Sequence, residues 1–132
     1  MSAGSSNIPP SLQTDIQTLE EDGYTISAER DGSTVYVVFE DYSLPAKYTP
    51  DQTDLLVKVP LPYPDSEIDM FWTELDVRGP NGLPEKAGHT QEFIGREWRR
   101  FSWHRNDDWN PAYHDLIDHM EFVKARFSEY DN

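Results

Sequence analysis

The chain has 132 residues, no cysteine, and 25 acidic against 11 basic side chains, for a formal net charge of −14. The missing thiols exclude disulfides, thiolate metal sites and thioester chemistry. The charge repels phosphate backbones and anionic lipid over most of the surface, so no nucleic acid and no membrane is an expected partner.

Residues 1–9 are small and polar and read as a flexible tail, leaving 10–132 as a single domain long enough to bury a core. The opening Met1-Ser2-Ala3-Gly4-Ser5-Ser6-Asn7 lacks the charged and apolar regions of a signal peptide, and no apolar run reaches membrane-spanning length. A cytoplasmic protein is expected. Leu12, Ile16 and Leu19 then fall on one helical face, with Ser11 as the expected N-cap and Gly23 as the stop. Asp15, Glu20, Glu21 and Asp22 make this first helix acidic outside.

Tyr24, Ile26 and Ala28 alternate with polar residues, Asp31-Gly32 signals a hairpin, and Val35, Val37 and Phe39 alternate again. A third strand is expected over Leu55–Val59. Pro60-Leu61-Pro62-Tyr63-Pro64 lacks three amide protons in five residues, so it reads as a rigid, extended connection. A fourth strand is expected over Met70–Val77, a turn-rich loop over Arg78–Pro84, and an extended stretch over Glu97–Trp103 after Gly95. From Pro111, with Asn110 as cap, Tyr113, Leu116, Ile117, Met120, Val123 and Phe127 follow near helical spacing. The fold class is therefore α+β, with an N-terminal helix, a meander of about four antiparallel strands, an irregular site-bearing stretch and a C-terminal helix.

Three of the four tryptophans and Arg96, Arg99, Arg100 and Arg105 crowd between residues 96 and 109 of this acidic chain. Within that stretch Ser102 and His104 are two apart, so an extended backbone points both to one face. A serine hydroxyl needs an adjacent base to become a nucleophile. His104 is the expected base, and Asp107 or Asp108 the carboxylate that orients it. Arg99, Arg100 and Arg105, with Trp103 and Trp109, make the expected binding set, because guanidinium groups hold carboxylates and oxyanions and tryptophan offers a large contact surface. No Gly-x-Ser-x-Gly elbow surrounds Ser102, which disfavours a small serine hydrolase. His114, Asp118 and His119 lie close in sequence, but without cysteine no metal site is expected.

The order of these segments resembles the ubiquitin-conjugating (UBC) fold, and in particular the divergent bacterial UBC-like proteins of ubiquitin-like conjugation systems. Pro60-Leu61-Pro62-Tyr63-Pro64 ahead of Phe71-Trp72 looks like the family's Tyr-Pro segment, and Trp109-Asn110-Pro111 looks like its Trp-x-Pro before the C-terminal helix. Ser102 stands seven residues before Trp109 and nine before Pro111, close to where the family carries its catalytic cysteine. The cysteine itself is absent, and no His-Pro-Asn tripeptide lies shortly before Ser102; Gly79-Pro80-Asn81 lies too far upstream and reads as a turn.

The resemblance implies a carrier that accepts a ubiquitin-like protein from an ATP-dependent activating enzyme, here as an oxyester on Ser102, and passes it to a target lysine. ATP is then consumed by the partner and no cofactor is expected. It also implies that the acidic first helix meets the activating enzyme, with charge steering the encounter. Loss of the cysteine points to the alternative, a catalytically inactive UBC-like module that binds the ubiquitin-like protein or the activating enzyme.

Overall fold

The computed structural model describes residues 8–80, 82–83, 87–102 and 108–129. Its elements are α1 (Pro10–Glu21), β1 (Thr25–Asp31), β2 (Thr34–Ser43), β3 (Gln52–Pro60), β4 (Phe71–Thr73), β5 (His89–Phe93), β6 (Arg96–Phe101) and α2 (Leu116–Glu129). The strands form one antiparallel sheet in the order β1-β2-β3-β4-β6-β5. Among the described residues the sheet thus has six strands rather than about four.

The first helix starts at Pro10, whose missing amide proton would be unpaired there in any case. Pro9 occupies the cap position without a side-chain bond, so Ser11 is not the cap. Termination follows the Schellman pattern. The Tyr24 amide donates to the Leu19 carbonyl and the Gly23 amide to Glu20, while Gly23 takes φ 111°, which glycine adopts without a Cβ penalty.

Alternation along the strands divides the sheet into two faces. Val35, Val37 and Phe39 of β2, Leu55, Val57 and Val59 of β3, and Phe71 and Phe101 pack against Leu12 and Leu19 of α1 and Leu116, Met120, Val123 and Phe127 of α2. Phe127 lies 5.0 Å from Phe71 and 5.7 Å from Phe101, ring centre to ring centre. Each such buried aromatic contributes about 1.5–3 kcal/mol by leaving water.

The opposite face carries Val38, Leu56, Trp72 and Trp98, and no helix among the described residues covers it. The β5–β6 hairpin does. Phe93 at its tip lies 5.5 Å from Tyr36 of β2 and 5.6 Å from Trp72 of β4, under the Lys58 ammonium at 4.5 Å. Arg96 reaches Asp54 at 3.0 Å. Phe93 of β5 meets Tyr36 of β2 although three strands lie between them in the sheet, so the hairpin curls over this face.

Three further expectations are corrected. The segment after β3 is not extended: it turns, with the Ser66 amide donating to the Pro62 carbonyl at 3.0 Å. The fourth strand is only Phe71–Thr73. The second helix begins at Leu116, because Pro111–Tyr113 forms a separate turn in which the Ala112 amide donates to Asn110 Oδ1 at 3.0 Å. Asp115 caps the helix, accepting from the Asp118 amide at 2.9 Å.

Candidate functional site

Strand β6 delivers the candidate residues. Its register with β4 sets Thr73 against Arg99, Trp72 against Arg100 and Phe71 against Phe101. Ser102 follows immediately. Its Oγ is buried and has no hydrogen-bond partner among the described residues. A buried hydroxyl left without a partner is uncommon, because desolvation is then uncompensated.

Strand alternation sends Arg99 and Arg100 to opposite faces. Arg99 is only 9% exposed. Its Nε donates to the Leu75 carbonyl at 3.1 Å and its Nη1 to the Ala87 carbonyl at 2.8 Å. It closes the loop between β4 and β5, and burial, with Arg78 nearby, lowers its pKa from the usual value. Arg100 sits in register between Trp72 of β4 and His89 of β5, and its Nε is buried with no hydrogen-bond partner among the described residues. Trp103, His104, Arg105 and Asp107 lie outside the described residues.

Trp109, seven residues after Ser102, is anchored. Its indole Nε1 donates to the Pro64 carbonyl at 2.7 Å, joining the Trp-Asn-Pro segment to the Pro-Tyr-Pro turn. His114 lies 5.4 Å from the indole, ring centre to ring centre, and its Nδ1 accepts from the Asn110 amide at 2.8 Å. Ser102 thus directly follows a strand paired with β4, and Trp109 is fixed by this indole bond.

Two neighbouring groups were not singled out from sequence as site residues. Tyr63, 8% exposed, donates its hydroxyl proton to Asp15 Oδ2 of α1 at 2.5 Å and accepts from the Leu116 amide, the first of α2, at 2.8 Å. Burial, reinforced by the bond to Asp15, raises the Tyr63 pKa far above the usual phenol range. Burial also raises that of Asp15, against the lowering effect of the Tyr63 bond and with Asp115 adding repulsion. His119 is fully buried. Its Nε2 lies 2.8 Å from the Met70 carbonyl; a carbonyl only accepts, so Nε2 carries the proton. His119 thereby pins α2 to the residue preceding β4. The available signals were a tyrosine between prolines and a histidine on the apolar stripe of α2.

Open depressions lie elsewhere. One of about 540 Å³ is lined by residues including Asp22, Tyr24, Glu40, Tyr42 and Lys124, and by none of the candidate residues. No helix among the described residues is long and apolar enough to cross a membrane.

The described residues thus form an α+β domain: a helix, an antiparallel sheet, a Pro-Tyr-Pro turn bonded to a Trp-x-Pro segment, and a closing helix. No curated protein and no solved structure matches this sequence. A family model does: residues 11–129 match that of prokaryotic E2 family E, and the chain belongs to this family.

Proposed function

We propose that this chain is a carrier and transferase for a ubiquitin-like protein, loaded by an ATP-dependent activating enzyme onto Ser102 and discharged to a lysine amine. The observation that carries the reading is the Trp109 indole bond to the Pro64 carbonyl. It brings together the two segments that resemble the family's, with Ser102 directly after β6 and seven residues before Trp109. Membership of an E2 family supports dealings with an activating enzyme and a ubiquitin-like protein.

In the loading step Ser102 Oγ attacks the activated carbonyl at the C terminus of the ubiquitin-like protein. The hydroxyl proton passes to His104, the C–O ester bond forms, and the activating group leaves. Asp107 orients the imidazole, and Arg100 and Arg105 hold the oxyanion or the acidic tail. Trp103 and Trp109 flank the tail. Arg99, whose guanidinium bridges the Leu75 and Ala87 carbonyls on the opposite face, is left to hold that loop. In discharge a lysine amine attacks the ester, the amide forms, and the serine oxygen recovers a proton.

Intact mass after mixing the protein with ATP, activating enzyme and ubiquitin-like protein tests this. The expected product is one ubiquitin-like protein added with loss of water, stable to thiol reductant, cleaved by hydroxylamine and absent in Ser102→Ala. A specific observation favours the second reading, a binding module without catalysis: Ser102 Oγ is buried. Complex formation with an active activating enzyme but no adduct would establish that reading and reject the first.

A further inference from the structure

The depression of about 540 Å³ lies where the turn after α1 meets the end of β2 and one side of α2. Asp22, Glu40, Asp41 and Lys124 line it, and among the described residues none of these four charges is ion-paired. Charges on a rim are by themselves ordinary solvated surface. Tyr42 is different. It lines the same depression and is only 6% exposed, yet its hydroxyl has no hydrogen-bond partner among the described residues. The polar atom of so buried a side chain normally has one.

The chain bends to put that tyrosine there. Phe39 faces the helices, and strict alternation would send residue 41, not 42, to the same side. The register of β2 with β3 instead shifts between Phe39 and Tyr42, with Asp41 at φ 52° and its amide donating to Asp54 Oδ1 at 3.2 Å. Such a bulge re-aims the side chain that follows it. The Tyr42 ring comes to lie 6.1 Å from that of Tyr24 and 6.2 Å from that of Phe127, centre to centre. Its ring is thereby held, while its oxygen is not among the sealed polar atoms. Burial raises the Tyr42 pKa, with Tyr24 and Glu121 adding repulsion, so the hydroxyl is neutral and can both donate and accept. A second depression, of about 290 Å³, shares Tyr42, Ser43 and Lys124 with the first and adds Leu44, Pro45 and Phe127.

These adjoining depressions have the size of small-molecule sites, roughly 300–1,000 Å³, and their lining narrows the ligand. An amine alone leaves Lys124 unmatched, and an acid alone faces three carboxylates. A ligand bearing both charges meets both signs, and an apolar body meets Leu44, Pro45 and Phe127. We propose that the two depressions form a binding site for a free α-amino acid with an apolar side chain. Asp22, Glu40 and Asp41 take its ammonium and Lys124 its carboxylate. The lining is net negative, so the carboxylate needs a further donor, and the Tyr42 hydroxyl supplies it. None of these residues belongs to the Ser102 site, and the proposal does not depend on the carrier reading.

Titration of the ¹⁵N-labelled full-length chain with leucine at low salt, followed by amide shifts, tests this. Saturable shifts are expected at Gly23, Asp41 and Ser43. Leucinamide lacks the carboxylate and 4-methylpentanoate lacks the ammonium, and each is expected to bind about tenfold more weakly or worse. Glycine keeps both charges without the side chain and is expected to lose about tenfold as well. Tyr42→Phe, which keeps the ring, should weaken leucine about fivefold, and Lys124→Met, which keeps the stem, about tenfold. If Tyr42→Phe fails to fold, Lys124→Met decides, since its site is on the surface. No saturation by about 10 mM leucine overturns the proposal, as do shifts confined to other residues. Equal binding of leucine, leucinamide and 4-methylpentanoate, or unchanged affinity in Lys124→Met, also overturns it. Glycine binding as tightly as leucine overturns the place given to Leu44, Pro45 and Phe127.

Discussion

Arg99→Met separates a loop-holding arginine from a ligand-binding one. The substitution keeps an unbranched stem and removes the guanidinium that bridges the Leu75 and Ala87 carbonyls. Ala87 is fully buried, so its carbonyl has no route to water and its desolvation is left uncompensated at about 1–3 kcal/mol. Leu75 is 37% exposed, so water replaces much of what its carbonyl loses. The expected total is about 2–3 kcal/mol. At about 2.1 cal/mol/K of unfolding entropy per residue, a chain of this length loses about 3.6 °C of Tm per kcal/mol, so a fall of roughly 7–11 °C is expected. Arg99→Lys should recover only part, because one ammonium cannot serve two carbonyls as the planar fork does. Circular-dichroism melts read both variants. A fall below about 2 °C for Arg99→Met would refute the reasoning, since that small effect is normal for a surface substitution.

Two further outcomes follow from the geometry. Ile94 takes φ 48° beside Gly95 at φ 79°, a two-residue turn with both centres left-handed, where a β-branched residue is poorly suited and Asn-Gly is preferred. Ile94→Asn should therefore stabilise by about 0.5–1 kcal/mol in urea titration, the relief of backbone strain exceeding the lost contact with the Trp72–Trp98 cluster; a net loss would reverse that ranking. Asp15 gives a pH signature. Its folded-state pKa is raised, so between the unfolded and folded values the native state binds more protons, and stability falls as pH rises through that window. Wild type should accordingly gain stability relative to Asp15→Asn as pH is lowered from 7 toward the ordinary carboxylate range, and a Tm difference constant with pH would contradict the assignment.

Much of the frame is written locally. The alternation in Val35–Phe39 and Leu55–Val59 states which side of β2 and β3 is apolar, and the stripe Leu116, Met120, Val123, Phe127 does the same for α2, because burial of one face imposes its period on the chain. Asp31-Gly32 marks the first hairpin for the equally local reason that its turn needs a positive φ, which Gly32 supplies at 64°. The polar strand His89-Thr90-Gln91-Glu92-Phe93 has almost no such signal. It becomes a strand because β6 offers it an unpaired edge and Ile94-Gly95 returns the chain.

The site divides in the same way. Sequence by itself places Ser102 before a Trp-x-Pro and after a Tyr-Pro segment, and it determines the absence of a thiol. It shows four arginines together without showing that adjacent Arg99 and Arg100 leave β6 on opposite faces, one to close a loop. Nor does it show Tyr63 meeting Asp15 across 48 residues and Leu116 across 53. Periodicity records where a chain must bury apolar surface. Which polar groups then satisfy one another is decided only when packing brings distant segments to within a hydrogen bond, since each buried donor takes whichever acceptor the tertiary structure leaves in reach.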